Sequence, residues 1–143
     1  MLELWKILAT LCAGLWTGAA LYIGLIEHPS SVKLGLSPAV EYFRHMSKRT
    51  APFMMLLSAT SGVAACWTWW LGSETAWLVG GLLQIGMFPL TAVFIVPTNI
   101  KLIKIDPLAQ PDQTTTLLNN WGNMHWLRVA VGSAAFPLFL WQP

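Results

Sequence analysis

Charged residues are scarce in this chain, and their scarcity excludes several classes of protein. Lysine and arginine number 8 and aspartate and glutamate 6, so charged residues make up 10% of the sequence, against about 25% in soluble domains. The net charge of +2 is small and dispersed, whereas nucleic-acid binding requires a basic stripe. We therefore expect no nucleic-acid partner.

Cysteine is nearly absent as well. Only Cys12 and Cys66 occur, and each lies inside a separate apolar segment. Two isolated cysteines provide neither a disulfide framework nor a cysteine metal cluster. We interpret both as small buried hydrophobic side chains.

Apolar residues, in contrast, make up 55% of the chain and form four long runs. Each run has about 20 residues, which at ~1.5 Å per residue spans the ~30 Å hydrocarbon layer of a bilayer. The sequence therefore predicts an all-α fold, a four-transmembrane-helix bundle in a single domain, 1–143. The predicted spans are approximately 4–26, 51–71, 76–97 and 121–141.

The connections between these spans carry most of the polar residues. Pro29 disfavours helical geometry at His28, so we expect the first helix to end there. Ser37-Pro38 predicts the start of a short interfacial amphipathic helix between the first and second spans. Residues 101–120 read as a polar loop before the fourth span.

Charge placement predicts how the bundle is oriented. Six basic residues lie in the two long connections, whereas Lys6 alone lies on the opposite side; the six are Lys33, Arg44, Lys48, Arg49, Lys101 and Lys104. The positive-inside rule then predicts a multi-pass protein with both termini non-cytoplasmic. Gly14 and Gly18 form a G-x-x-x-G spacing, which is typical of an internal helix contact or of a homo-oligomer interface.

The fourth span opens with polar residues that are costly in a membrane. On a helix Trp121, His125 and Arg128 fall at i, i+4 and i+7, so their side chains share one face. Arg128 lies ~10 Å deeper than Trp121, which calls for a carboxylate, a carbonyl or a cavity to receive it. Glu27 is the partner that we expect.

Other polar residues are predicted to arrive at the same end of the bundle. Glu27 and His28 end the first helix, and Asn99 follows the third. Gln84 and Thr91 lie on one stripe of the third helix, where Pro89 is expected to expose a backbone carbonyl. These two side chains either bond neighbouring helices or contribute to a pocket.

Three interpretations of this polar set stay open. An ion pair between Glu27 and Arg128 would brace helices with no chemistry. A pocket would let His125 or His28 exchange protons while Arg128 stabilises an oxyanion. Alternatively, His28, His125 and Glu27 could hold one transition-metal ion such as iron, copper or zinc, although no cofactor is required by the sequence.

A family resemblance rests on three motifs. Glu27-His28-Pro29 follows a glycine-rich first helix, Pro97-Thr98-Asn99 follows the third, and Trp121-x-x-x-His125-x-x-Arg128 opens the fourth. In these motifs and their spacing the chain resembles the anthrone-oxygenase-like family of small four-helix membrane proteins, which is largely described as a domain of unknown function.

The resemblance implies a membrane-embedded oxidoreductase of oxygenase type acting on a lipophilic aromatic or anthrone/quinone-like substrate. It implies catalytic roles for His125, Arg128, His28 and Glu27. The resemblance and the aromatic character of the segment further suggest that the substrate contacts Asn99, Trp121, Trp126 and Thr91. The partners expected are the lipid bilayer and a lipophilic small molecule. Two competing hypotheses are a non-catalytic integral subunit or small-ligand carrier, and a transition-metal-binding membrane protein.

Overall fold

Helices account for nearly all of the structure, a computed structural model that describes residues 1–141. We number the helices in chain order; they are α1, Leu2–Lys33; α2, Leu36–Trp70; α3, Thr75–Lys104; α4, Pro111–Ser133; and α5, Ala135–Leu140. No strand occurs within the described range. The predicted all-α class is confirmed. The last two positions of the predicted domain, 142 and 143, lie outside the described residues.

Three of these helices are long and apolar enough to cross a membrane. They are α1, α2 and α3, with 32, 35 and 30 residues. Three of the four predicted spans are therefore long and apolar enough to cross a membrane, and the fourth, 121–141, is not confirmed. Its apolar stretch is interrupted, because α4 ends at Ser133 and α5 begins at Ala135.

The predicted polar loop before Trp121 is wrong for most of its length. The third helix continues to Lys104, and α4 already begins at Pro111. Proline suits the first helical position because its missing N–H would have no partner there. The hydroxyls of Thr114, Thr115 and Thr116 each donate to the carbonyl four residues earlier, over 2.8 to 3.0 Å. The threonine run thus satisfies its own polar groups within a helix.

The predicted interfacial helix is not confirmed as a separate element. Its residues form the N-terminal part of α2, which continues through Pro52 to Trp70. Val40 and Phe43, two apolar residues of this segment, pack in a buried cluster with Leu102 and Leu118. The apolar face of this segment is therefore covered by protein.

Proline also fails to end α1 and α3 where the sequence suggested. A π-helical turn, Ile23–Glu27, precedes Pro29, and a second one, Thr91–Ile95, precedes Pro97. In an α-helix the proline ring clashes with the carbonyl four residues earlier. The wider π turn, whose hydrogen bonds join residues five apart, accommodates the ring and lets both helices continue. The predicted helix end at His28 is therefore wrong.

A buried polar network holds the middle of the bundle together. Ser58 Oγ donates to the backbone carbonyl of Gln84 over 2.7 Å, and Gln84 Nε2 donates to the carbonyl of Gly132 over 3.0 Å. These bonds join α2, α3 and α4. Gln84 therefore bonds neighbouring helices, which is one of the two roles expected of it.

Close helix packing at Gly132 leads to a stability prediction. A Cβ at Gly132 would overlap the indole of Trp16, whereas a Cβ at Gly18 would have no neighbour within 4 Å. We expect Gly132→Ala to destabilise the fold by about 1–3 kcal/mol through overpacking. Gly18→Ala should be neutral or slightly stabilising, since alanine favours a helix by ~1 kcal/mol over glycine.

The measurement is the thermal unfolding midpoint of the two variants and the parent in the same detergent. Equal midpoints for Gly132→Ala and Gly18→Ala would contradict the packing described.

Candidate functional site

One buried hydrogen bond joins the two helices that carry most of the predicted site. The Nε2 atom of His125, on α4, lies 2.9 Å from the backbone carbonyl oxygen of Ala20, on α1. His125 is 2% exposed. Ala20 lies one turn before the first π turn, and its carbonyl also accepts from the N–H of Ile23. The carbonyl therefore has two donors, one from each helix.

This bond determines which nitrogen of His125 carries the proton. A carbonyl oxygen only accepts, so Nε2 must be the protonated nitrogen of the neutral ring. Nδ1 then has a lone pair and no N–H. It is buried and has no hydrogen-bond partner among the described residues. A nitrogen with an available lone pair is what a general base requires.

The indole of Trp121 holds the histidine ring in place from one side. The two rings stack with centroids 5.2 Å apart and planes at 8°. The indole N–H of Trp121 donates to Asn99 Oδ1 over 2.9 Å, which ties α4 to α3. Phe43 packs edge-on against the same indole, at 5.5 Å. Three helices thus fix the position of Trp121.

Two glycines let α1 and α4 approach each other closely at this point. A Cβ at Gly24 would lie 3.1 Å from the Trp126 ring and 3.3 Å from the His125 ring. A Cβ at Gly122 would lie 2.8 Å from His28 Nε2. Each glycine therefore makes room for a histidine of the other helix, and side chains at either position would push the helices apart.

A small cavity lies between the four long helices. Its volume is about 40 Å³, which holds at least one water molecule. Four predicted site residues line it: Asn99, Trp121, His125 and Arg128. The remaining lining residues are Ile23, Phe43, Met46, Ser47, Thr50, Ala51, Met54 and Ile95. We call this space the central cavity.

Three residues that line the central cavity each have a buried polar atom without a hydrogen-bond partner. The atoms are His125 Nδ1, Arg128 Nε and Ser47 Oγ. An unsatisfied buried polar group costs about 1–3 kcal/mol. A molecule that accepted a hydrogen bond from Arg128 and donated one to His125 would remove part of this cost.

The other predicted site residues lie outside the central cavity. His28 packs against Trp121 with ring centroids 5.0 Å apart. Trp126 is 41% exposed and contacts the Gly24 position. Thr91 has a buried hydroxyl without a partner and is not a lining residue. Glu27 lines a separate, open pocket.

The expected ion pair between Glu27 and Arg128 is wrong. Within residues 1–141 the ion pairs shorter than 4 Å join Lys6 to Glu3, and Arg44 and His45 to Glu41. One carboxylate oxygen of Glu27 is buried without a hydrogen-bond partner. Arg128 lines the central cavity, whereas Glu27 lines the separate, open pocket. Met46 and Thr50 of α2 line both spaces and are the boundary residues between them.

Sequence reasoning missed the contribution of α2 and of a backbone atom. Phe43, Ser47 and Met54 recur at helical spacing on one face of α2 and line the central cavity. The same spacing is present in the sequence, but the interpretation of residues before the second span as an interfacial helix gave this face no role in the site. The Ala20 carbonyl carries no sequence signal at all.

The described residues bring together no group of three or more histidine, cysteine, aspartate or glutamate side chains that could hold a metal ion. His28, His125 and Glu27, the ligands considered from the sequence, are thus not clustered. Both histidines contact Trp121 instead.

Comparison with known proteins identifies one family. The family model described as anthrone oxygenase matches residues 41–138. The match includes Asn99, Trp121, His125 and Arg128, and begins after Glu27 and His28. Neither the curated proteins nor the solved structures contain a match. The resemblance found from the three sequence motifs is confirmed.

The bond from Trp121 to Asn99 leads to a second stability prediction. Asn99→Leu removes the acceptor and leaves the buried indole N–H unpaired, which costs about 1–3 kcal/mol. Asn99→Asp retains an oxygen at the same place and should keep most of the stability. Thermal unfolding midpoints in detergent compare the two variants. If Asn99→Asp lowers the midpoint as much as Asn99→Leu does, the hydrogen bond is not what stabilises the site.

Proposed function

Because the chain belongs to the anthrone oxygenase family, we propose that it is a membrane-embedded oxidoreductase that oxidises a lipophilic aromatic substrate of the anthrone type with molecular oxygen. The observation that carries the proposal is the pair of unpartnered atoms, His125 Nδ1 and Arg128 Nε, on residues that line one cavity. One can take a proton, and the other can stabilise negative charge on oxygen.

The first step in this proposal is proton removal from carbon. An anthrone has an acidic C–H bond on the ring that carries its carbonyl group. His125 Nδ1 takes the proton, the C–H bond breaks, and its electron pair moves through the ring system onto the carbonyl oxygen. Arg128 donates a hydrogen bond to the resulting enolate oxygen, which lowers the barrier because the charge develops in a buried site.

The second step adds oxygen without an external reductant. The electron-rich carbon of the enolate forms a C–O bond with dioxygen, and the resulting peroxide takes the proton held by His125. The C–H and O–O bonds then break to release water and leave a second carbonyl. The sum is anthrone plus dioxygen giving anthraquinone plus water. All electrons for reduction come from the substrate.

The side chains around the central cavity are of the kind that contact an apolar aromatic ligand, which must widen the space of about 40 Å³ to enter it. Trp121, Phe43 and Met46 line it with aromatic and thioether groups, which pack well against flat rings. The Gln84 network already joins α2, α3 and α4 away from this site. These three helices therefore have a polar contact that does not involve Arg128, which disfavours a purely structural role for Arg128. His125, in contrast, also joins α1 to α4 through the Ala20 carbonyl.

The mechanism predicts that His125→Gln abolishes catalysis while preserving the fold. The glutamine amide N–H can still donate to the Ala20 carbonyl, but its oxygen is not a base. We expect oxygen consumption with anthrone to fall by ~100-fold or more, the usual contribution of a general base. Oxygen uptake by purified protein in detergent, with anthraquinone measured in parallel, gives the rate.

Asn123→Ala provides the matched control, since Asn123 is exposed on the same helix and lines no part of the cavity. Its rate should equal that of the parent. A folded His125→Gln variant that retains the parental rate would contradict the role of His125 as base.

We also propose that both termini lie on the non-cytoplasmic side of the membrane. The basic residues at the C-terminal end of α1, in the N-terminal part of α2 and at the end of α3 support this orientation. A reporter enzyme fused to the C-terminus and active only in the cytoplasm should be inactive. An active fusion would reverse the orientation.

A further inference from the structure

Arg128 is a positive charge inside the bundle that has no protein partner. No hydrogen bond or ion pair joins its guanidinium group to any residue in 1–141, and its Nε atom is buried. A charge that is removed from water costs much free energy unless an opposite charge compensates it. Arginine stays protonated in proteins, so it does not avoid this cost by losing its proton. A negatively charged species beside Arg128 would remove the cost.

The side chains around the central cavity include no such species. Among the described residues that line the cavity, the ionisable ones other than Trp121 and its neutral neighbours are Arg128 and His125, and no aspartate or glutamate is among them. In the tautomer that donates to the Ala20 carbonyl the His125 ring is neutral. The central cavity therefore has a positive electrostatic character, and Arg128 is its source.

Two other lining residues supply hydrogen-bond donors. The amide oxygen of Asn99 accepts from Trp121, and its Nδ2 group has no hydrogen-bond partner in the described part of the chain. Ser47 has a hydroxyl without a partner, and a hydroxyl hydrogen rotates to meet an acceptor. Because Arg128, Asn99 and Ser47 belong to α4, α3 and α2, residues with donor groups line the cavity on three sides.

The volume of the central cavity limits the species that it can hold. The volume is about 40 Å³, whereas one water molecule needs roughly 10–15 Å³. A monatomic ion slightly larger than water fits, but sulfate, phosphate or a larger organic acid does not. Phe43, Met46 and Met54 line the rest of the space and cannot hydrate an ion. A weakly hydrated anion, which loses less free energy on leaving water, is therefore favoured.

We propose that the central cavity binds a small monovalent anion of the halide class, such as chloride, with Arg128 as its counter-charge and Asn99 and Ser47 as hydrogen-bond donors. The remaining volume accommodates a water molecule that donates to the ion and to His125 Nδ1. Binding of the halide requires no substrate. The anion site is therefore separate from the proposed reaction, although both use Arg128.

Halide binding to the purified protein tests this site without turnover. Bromide is the probe, and it replaces gluconate at constant ionic strength in detergent, since gluconate is too large for the cavity. The thermal unfolding midpoint of the parent should rise with bromide concentration, because a ligand that binds only the folded state stabilises that state. Isothermal titration gives the Kd. Fluoride, which is strongly hydrated, should bind about tenfold more weakly than bromide or worse.

Three variants connect the binding to the cavity. Arg128→Gln removes the positive charge and should weaken bromide binding by about tenfold or more. Ser47→Ala removes one donor and should weaken it by about threefold. Arg49→Gln is the matched control, since Arg49 is exposed and lines only the open pocket; its Kd should equal that of the parent. A parental midpoint that does not respond to bromide, or an Arg128→Gln variant that responds like the parent, would overturn the anion site.

An anion attached to the chain provides a second test in case Arg128→Gln does not fold. Ser47→Asp places a carboxylate at the cavity, so it should raise the midpoint in gluconate and abolish the response to bromide. Ser61→Asp is the control, since Ser61 is buried on the same helix and lines no part of the cavity. It should lower the midpoint, because a buried carboxylate without a cation is costly. Equal losses in the two variants would contradict the proposal.

Oxygen consumption separates the anion site from the proposed reaction. If both are correct, bromide competes with the enolate oxygen for Arg128 and raises the KM for anthrone without changing kcat. If bromide binds through Arg128 and oxygen consumption is unaffected or absent, the anion site stands and the proposed role of Arg128 in the reaction fails. If oxygen is consumed but bromide does not bind, the reaction stands and the anion site is wrong.

Discussion

The hydrogen bond between His125 Nε2 and the Ala20 carbonyl, 2.9 Å long and buried, is the interaction on which the candidate site depends. It joins α1 to α4 and assigns the proton of the ring to Nε2, which leaves Nδ1 as the basic nitrogen. Stacking on Trp121 fixes the plane of the same ring. A side chain held in one orientation and one tautomer needs little reorganisation when it takes a proton.

The backbone around this bond departs from regular α-helix at two places, and both are close to the cavity. The π turns Ile23–Glu27 and Thr91–Ile95 each contribute one lining residue, Ile23 and Ile95. Each turn also precedes a proline by two residues. Neither proline ends its helix, and both α1 and α3 extend beyond the site. Such π turns are frequent at functional sites.

Much of the helix content and part of the site could be predicted from the sequence. Three spans could be predicted from long apolar runs, because a helix needs about 20 apolar residues to cross the hydrocarbon layer of a bilayer. The periodicity of Trp121, His125 and Arg128 correctly placed these three side chains along one cavity. Asn99 also lines the cavity, although it lies inside α3 and not after the end of that helix. The apolar spans and the shared face of α4 could be predicted because each depends on local spacing alone.

The remaining features depend on tertiary contacts that spacing does not encode. Val40 and Phe43 form an apolar face whose partner, protein or lipid, is decided by the positions of α3 and α4. Glu27 and Arg128 have opposite charges, yet they line different pockets. The boundary residues of α2, Met46 and Thr50, line both pockets. The Ala20 carbonyl is a backbone atom and has no residue-type signal. The proline rule failed at Pro29, where a π turn precedes the proline and relieves the clash on which the rule rests.

The tautomer of His125 tests the central claim most directly. The chain contains 3 histidines, so protein labelled with ¹⁵N-histidine gives a spectrum simple enough for His125→Gln to assign the ring of interest. At neutral pH the account predicts a protonated Nε2 and an unprotonated Nδ1 for His125. A proton found on Nδ1, with Nε2 unprotonated, would contradict both the bond to Ala20 and the role of Nδ1 as the base.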